Sequence, residues 1–238
     1  MFTDKHILII GGTSGFGKKV AELALAGGAK VTITGRNLEK NHIVEKELSE
    51  FGEVEIIHFE AINQQSFVKL FDSLSVFDHV ISMLGGAMGG GFLSADIQEI
   101  EDTINNKFHI NLYLAKEVYK HINDNGSLIF TSGAGERSDL ASGAIIGNKS
   151  LNEMVRGLAL ELAPNIRVNA IAPTWTPTEL WRNLREQELI KQIEVQAKSN
   201  PLQRVSSIDE VAKGYIFLMS CSFINGQVIT IDGGVTLS

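Results

Sequence analysis

The sequence predicts a doubly wound α/β fold: a parallel sheet of about seven strands with helices on both faces, in a single domain over residues 1–238. Three observations carry this. Short β-branched and apolar runs alternate with longer segments of helical spacing from end to end. A glycine-rich turn closes the first of these runs. No linker, repeat or low-complexity stretch divides the 238 residues. Strands separated by crossover helices pair in parallel, and a parallel sheet needs both faces covered.

In order, strands are expected at residues 6–10, 30–34, 54–58, 79–83, 127–131, 166–171 and 228–231. Between them, Phe108, Leu112, Ala115, Tyr119 and Ile122 fall on one helical face, as do Leu151, Met154, Val155, Leu158 and Leu162. Hydrophobic residues make up 44% of the chain, enough for a full core, and 23 glycines against 4 prolines fit many tight turns.

The formal net charge of -7 argues against a nucleic-acid partner, which calls for a basic stripe. It leaves room for an anionic cofactor, which needs one well-placed cation. The one cysteine, Cys221, cannot form an internal disulfide, so a reducing compartment is expected. The first apolar run is too short for a signal peptide or a membrane span, and nothing later approaches the length needed to cross a bilayer. The expectation is a soluble, cytoplasmic protein with no membrane partner and no metal site.

The first strand runs into Gly11-Gly12-Thr13-Ser14-Gly15-Phe16-Gly17, and a helical stretch follows. Glycines at 11, 15 and 17 let the backbone turn sharply and let a pyrophosphate approach the helix N-terminus. A turn of this kind is also found as mere structure. Its place between strand and helix, close to the N-terminus, favours the nucleotide reading.

This turn resembles the T-G-x-x-x-G-x-G signature of short-chain dehydrogenases/reductases, with Ile10 in place of the threonine. The resemblance extends over essentially the whole chain. Asp78-His-Val-Ile-Ser-Met-Leu-Gly85 resembles the D-x-L-V-N-N-A-G strand of that family, and Arg167-Val-Asn-Ala-Ile-Ala-Pro173 resembles R-V-N-x-I-x-P-G, with Thr174 for the glycine. Pro201-Leu-Gln-Arg204, Asp209-Glu-Val-Ala212 and the stretch 226–234 resemble its C-terminal signature. The resemblance implies a Rossmann-type dinucleotide fold, an oxidoreductase activity on a small-molecule substrate, and a homo-oligomer, tetramer or dimer, paired through helices at 105–122 and 149–163. It also implies contacts to the cofactor from Leu84 and Gly85, from Pro173 and Thr176, and from Thr178 beside the carboxamide.

The second strand ends Thr34-Gly35-Arg36-Asn37. NAD-preferring relatives place an acidic residue here to accept from the ribose hydroxyls. Gly35 leaves the place empty, and Arg36 offers a permanently charged fork for a 2′-phosphate. Arg36 as an ordinary surface arginine is the competing account. Ser14 stands where some relatives add a second basic residue. Glu60 stands where the family has an adenine-contacting aspartate, with Ala61 alongside. NADP(H) is the cofactor predicted.

The family's proton relay uses a tyrosine, a lysine four residues later, a serine and an asparagine. Ser132 fits the serine, with Gly133 as an equally good register, and Lys149 fits the lysine at the start of its helix. The tyrosine's place then falls on Ile145, which cannot donate a proton. Tyr113, Tyr119 and Tyr215 lie in segments that read as core helices. The asparagine's place falls on Lys107, with Asn106 adjacent, while Asn111 lies too close to Gly126. Lys107 reads equally as a solvated helix lysine. The stretch 85–91 is either a flexible loop or a close approach to the nicotinamide ribose. Trp175 and Trp181 either line a pocket in the substrate loop, 174–199, or close the core.

Two functions remain open at this point. One is an NADP(H)-dependent oxidoreductase with Ser132, Lys149 and Lys107 at an altered site, acting on a small carbonyl, hydroxyl or conjugated substrate. The other is a non-catalytic NADP(H)-binding sensor or structural protein, or a non-redox lyase or isomerase on the same fold.

Overall fold

The computed structural model describes residues 1–237. Seven strands form one sheet: β1 (His6–Ile10), β2 (Lys30–Gly35), β3 (Val54–His58), β4 (Phe77–Ser82), β5 (Ile122–Thr131), β6 (Ile166–Pro173) and β7 (Val228–Ile231). They lie in the order β3-β2-β1-β4-β5-β6-β7, and every pairing is parallel. The strand order reverses between β1 and β4, so the carboxyl ends of these two strands open a crevice, the usual ligand position in such sheets.

Side-chain alternation splits the core in two. Ile7 and Ile9 of β1, Ile81, Ile129 and Ile171 point to one face. There they meet helices α1 (Gly15–Ala26), α2 (Leu38–Leu48) and α8 (Ile208–Ser220) through Val20, Val44 and Val211. Leu8, Ile10, Val80, Leu128 and Val168 point to the other face. That side is covered by α3 (Gln64–Phe71), α5 (Ile110–Val118) and α6 (Ser142–Glu161) through Phe67, Leu114 and Leu151. The remaining helices are α4 (Ile97–Ile104), which packs against α6, and α7 (Glu186–Ser199). Among the described residues, no helix is long and apolar enough to cross a membrane.

Two helix expectations need correction. The buried face of α5 is Ile110, Leu114, Ala115 and Val118, whereas Tyr119 is exposed and Ile122 opens β5. A π-turn at Asn105–His109 precedes α5 and closes with the Ile110 N–H bonded to the Asn105 carbonyl. Its extra residue rotates the phase of what precedes it and turns Lys107 inward. The second correction concerns α6. It starts at Ser142, not at Lys149.

Candidate active site

A cleft of about 970 Å³ opens at the carboxyl ends of the strands. Its floor is the glycine turn. Gly15 takes φ +48°, and a Cβ on Gly17 would sit 2.8 Å from the Gly12 Cα, so the turn admits no side chain there. The Ser14 side chain makes no cap to α1 and no acidic residue occupies the first turn, which leaves the helix N-terminus to an anion. Gly11, Thr13, Ser14, Gly15, Phe16 and Gly17 all line the cleft.

At the far end of β2, a Cβ on Gly35 would lie 2.1 Å from the Asn41 Oδ1 and 2.5 Å from the Thr13 Cγ2. Asn41 is buried there and donates to the Gly35 carbonyl at 3.0 Å. No carboxylate side chain fits at this position. Arg36 is exposed on the cleft wall and makes no ion pair among the described residues. Asn37 is a correction: it caps α2 by accepting from the Lys40 N–H at 2.9 Å and does not line the cleft. Its short side chain is committed to the helix start. Glu60 and Ala61 line the same end.

The opposite end is built from four elements. Leu84 and Gly85 follow β4, and the loop at 85–91 is pinned to α6 rather than loose. The Gly143 N–H meets the Met88 Sδ at 3.2 Å, and the Ser142 N–H donates to the Gly90 carbonyl at 3.1 Å. Pro173, Thr176 and Thr178 continue from β6 along the wall. Thr176 is buried, with its Oγ1 2.6 Å from the Ser206 Oγ. Trp175 and Trp181 both line the cleft, stacked at 5.5 Å between ring centres.

The residues at the reacting end differ from the expectation by one position. Lys149 is exposed on α6 and does not line the cleft. Ile145 is buried but also faces away from it. The residues one position earlier on α6, a turn apart, are Ala144 and Asn148. Ala144 lines the wall, and Asn148 is buried with its Oδ1 accepting from the Lys107 Nζ at 3.0 Å. The tyrosine-lysine spacing of the resemblance therefore falls on Ala144 and Asn148. The physical reason is helical phase: Leu151, Val155 and Ala159 bury one stripe of α6, and steps of three and four back from it reach Asn148 and Ala144.

Ser132 lies on the cleft wall, where its hydroxyl donates to the Asn152 Oδ1 at 2.7 Å. Its neighbour Gly133 also lines the cleft, and a Cβ there would meet the Asn148 Nδ2 and the Glu136 Oε1, each at 2.6 Å. Glu136 accepts from the Asn148 Nδ2 at 3.2 Å. The three tyrosines stay off the cleft. Tyr215 is fully buried with its hydroxyl 2.8 Å from the Thr131 Oγ1.

Lys107 is thus the buried cation of this end, 8% exposed and on the cleft wall. Gly147 admits its stem, since a Cβ there would lie 2.7 Å from the Lys107 Cβ. Asn111 fixes its backbone, donating to the Lys107 carbonyl at 2.7 Å while accepting from the Ser82 Oγ at 2.6 Å. Burial pushes the Lys107 ammonium below the ordinary lysine range, opposed by the nearby Glu136 charge. Glu136, Ala144 and Asn148 escape the motif reading. The stripe of α6 carries a signal for the last two, and nothing local in the sequence points to Glu136.

A family profile described as enoyl-(acyl carrier protein) reductase matches residues 11–236. A tropinone reductase homolog of Arabidopsis thaliana is 30% identical over 98% of this chain and 93% of its own length. A 3-oxoacyl-[acyl-carrier-protein] reductase of Mus musculus is 28% identical over 99% of both chains. Among solved structures, a small-chain dehydrogenase in complex with NADPH superposes with a TM-score of 0.83 at 25% identity, over 98% of this chain and 99% of that one. A short-chain type dehydrogenase/reductase from Mycobacterium marinum gives a TM-score of 0.90 at 22% identity, over 100% and 97%. The profile match over nearly the whole chain, the relatives and the shared fold agree: this chain belongs to the short-chain dehydrogenase/reductase family of oxidoreductases.

Proposed function

We propose that this protein is an NADP(H)-dependent oxidoreductase in which Lys107 takes over the work that a tyrosine does in relatives. The observation that carries this reading is the buried Lys107 amine on the cleft wall, held by Asn148 at 3.0 Å.

The residues present fit the dinucleotide. Residues 11–17 offer a side-chain-free cradle and an uncapped helix start for the pyrophosphate. Arg36 would hold the 2′-phosphate, Gly35 excludes the acidic alternative, and Glu60 and Ala61 would flank the adenine. Leu84 and Gly85 would border the nicotinamide ribose, and Pro173, Thr176 and Thr178 the ring. When bound, the nicotinamide supplies or accepts hydride. Lys107 places positive charge beside the reacting oxygen and holds the proton that balances it. Asn148 orients the amine, and the exposed Glu136 supplies a compensating charge. A tyrosine's absence removes a general acid worth about 10²–10⁴-fold, which a displaced lysine recovers in part.

Trp175, Trp181, Met88 and Ala144 give the substrate end an apolar and aromatic wall, suited to a small carbonyl or conjugated compound. The test is NADPH oxidation with a panel of small ketones, aldehydes and enones, in wild type and Lys107→Met. Turnover lost in the variant supports the reading, and no turnover with any compound favours a cofactor-binding protein without catalysis.

We also read the chain as a homo-oligomer. Tyr119, at the end of α5, and Leu160, on α6, are 41% and 82% exposed, apolar surface that a two-fold partner would cover.

A further inference from the structure

Lys107 has an unusual environment for a lysine. The residue is 8% exposed, and among the described residues its Nζ has a single, neutral hydrogen-bond partner, the Asn148 Oδ1. An ammonium has three donors, and burying it with one neutral acceptor is costly. The neutral form, in equilibrium with the ammonium that the reading above uses, costs far less to bury, because it carries no charge and has two N–H groups, one of them bonded to Asn148. Desolvation shifts the group in that direction, and desolvated lysines act as nucleophiles toward carbonyl compounds. The space beside the amine is open. Ala144 has only a methyl group where relatives carry a phenol, Gly133 has no side chain, and a Cβ built on Gly85 lies 3.9 Å from the Lys107 Nζ without collision. A carboxylate, Glu136, lines the same cleft and is steered by the other end of the Asn148 amide.

We propose that Lys107 is a carbonyl-condensing amine, which forms an iminium with small aldehydes and ketones lodged above Ala144, and that Glu136 removes a proton from the carbon next to that iminium. This is a non-redox activity that uses no dinucleotide. It shares the cleft with the reading above and stands apart from it chemically. The steps balance. The amine adds to the carbonyl carbon, and the oxygen leaves as water with two protons, one from the amine and one from solvent. The iminium withdraws electrons, and Glu136 accepts the adjacent C–H proton, leaving a neutral enamine. A solvent proton returns to that carbon, Glu136 gives its proton to water, and hydrolysis restores the carbonyl compound and the free amine. The net result in heavy water is replacement of the α-hydrogen by deuterium.

The first measurement is variant-free. Wild-type protein without nucleotide is incubated with propanal and cyanoborohydride near neutral pH, and peptide mass spectrometry locates the propylated lysines. The proposal expects Lys107 to be modified at least about tenfold faster than any exposed lysine, Lys149 included. Modification spread evenly over surface lysines with Lys107 untouched would overturn it. The second measurement follows α-deuteration of butanone by proton NMR in heavy water. Lys107→Arg should reduce exchange to the uncatalysed rate. Glu136→Gln should slow exchange while leaving cyanoborohydride labelling of Lys107 in place. Exchange unchanged in Lys107→Arg overturns the amine's role, and exchange unchanged in Glu136→Gln overturns the carboxylate's. Neither assay contains NADPH, so failure here leaves the oxidoreductase reading to its own test.

Discussion

The Lys107 Nζ, from the π-turn before α5, donates to the Asn148 Oδ1 of α6 at 3.0 Å across the end of the cleft. Each residue stands where the resemblance to short-chain dehydrogenases/reductases puts the other type: lysine at the asparagine's place, asparagine at the lysine's. The pair keeps one amine and one amide at the reacting end but hands the amine to the opposite wall. With Ala144 at the tyrosine's place, the phenol is gone while the cation stays.

The first prediction concerns the cofactor. NADPH should bind at least about tenfold more tightly than NADH, a difference of roughly 1.4 kcal/mol that one charge-assisted contact from Arg36 supplies. Arg36→Ala should bring the two affinities together by weakening NADPH alone. Titration by nucleotide fluorescence decides, and equal affinities in wild type would refute the 2′-phosphate role.

The second prediction separates the two registers of α6. Ala144→Tyr together with Asn148→Lys and Lys107→Asn restores the relatives' arrangement in place, and its rate of simple ketone reduction should rise above wild type. Ile145→Tyr, buried away from the cleft, should bring no such gain. Its overpacking should cost about 1–3 kcal/mol in urea unfolding. Ketone reduction gained by Ile145→Tyr alone would contradict the register drawn here.

A third prediction concerns acid stability. His79 is 6% exposed with its Nδ1 2.9 Å from the Ser127 Oγ. Burial, with the Arg167 charge second, pulls its pKa down from 6.5 to about 4. The unfolded chain therefore binds a proton near pH 6.5 that the folded chain refuses until about pH 4. Stability from this residue is present above pH 6.5 and declines as pH falls between those values, on the order of 3 kcal/mol in all. Urea titrations at pH 7 and pH 4.5 should show a smaller loss for His79→Gln than for wild type. Identical losses would assign the acid sensitivity to other groups.

Much of the fold was legible because its signals are local. β-Branched runs mark the strands, and the glycine turn and Gly35-Arg36 mark one end of the cleft. The reacting end was legible only in part. Lys149 drew the motif because a lysine stood near the expected spacing, yet the buried stripe through Leu151 and Val155 already pointed to Asn148 and Ala144. The π-turn leaves no local pattern in the sequence; in the fold it goes with Lys107 packed against Gly147 and Asn111 donating to the Lys107 carbonyl. Glu136 reaches Asn148 from a loop after β5, and Ser132 turns to Asn152 on α6. Such contacts appear only once the chain is folded.

A fourth prediction addresses assembly. Light scattering at micromolar concentration should give at least twice the 26.0 kDa chain mass. Leu160→Glu should lower that mass, because it puts a charge into the apolar surface of α6. A wild-type monomer would remove the oligomer reading.

The most direct test of the central claim is kcat/KM for NADPH-dependent reduction of the best compound in the carbonyl panel, measured in Lys107→Met and Lys149→Met. The account predicts a loss of about 10²-fold or more in Lys107→Met, and less than about twofold in Lys149→Met, whose side chain lies outside the cleft. Undiminished turnover in Lys107→Met, or a collapse in Lys149→Met, would contradict it.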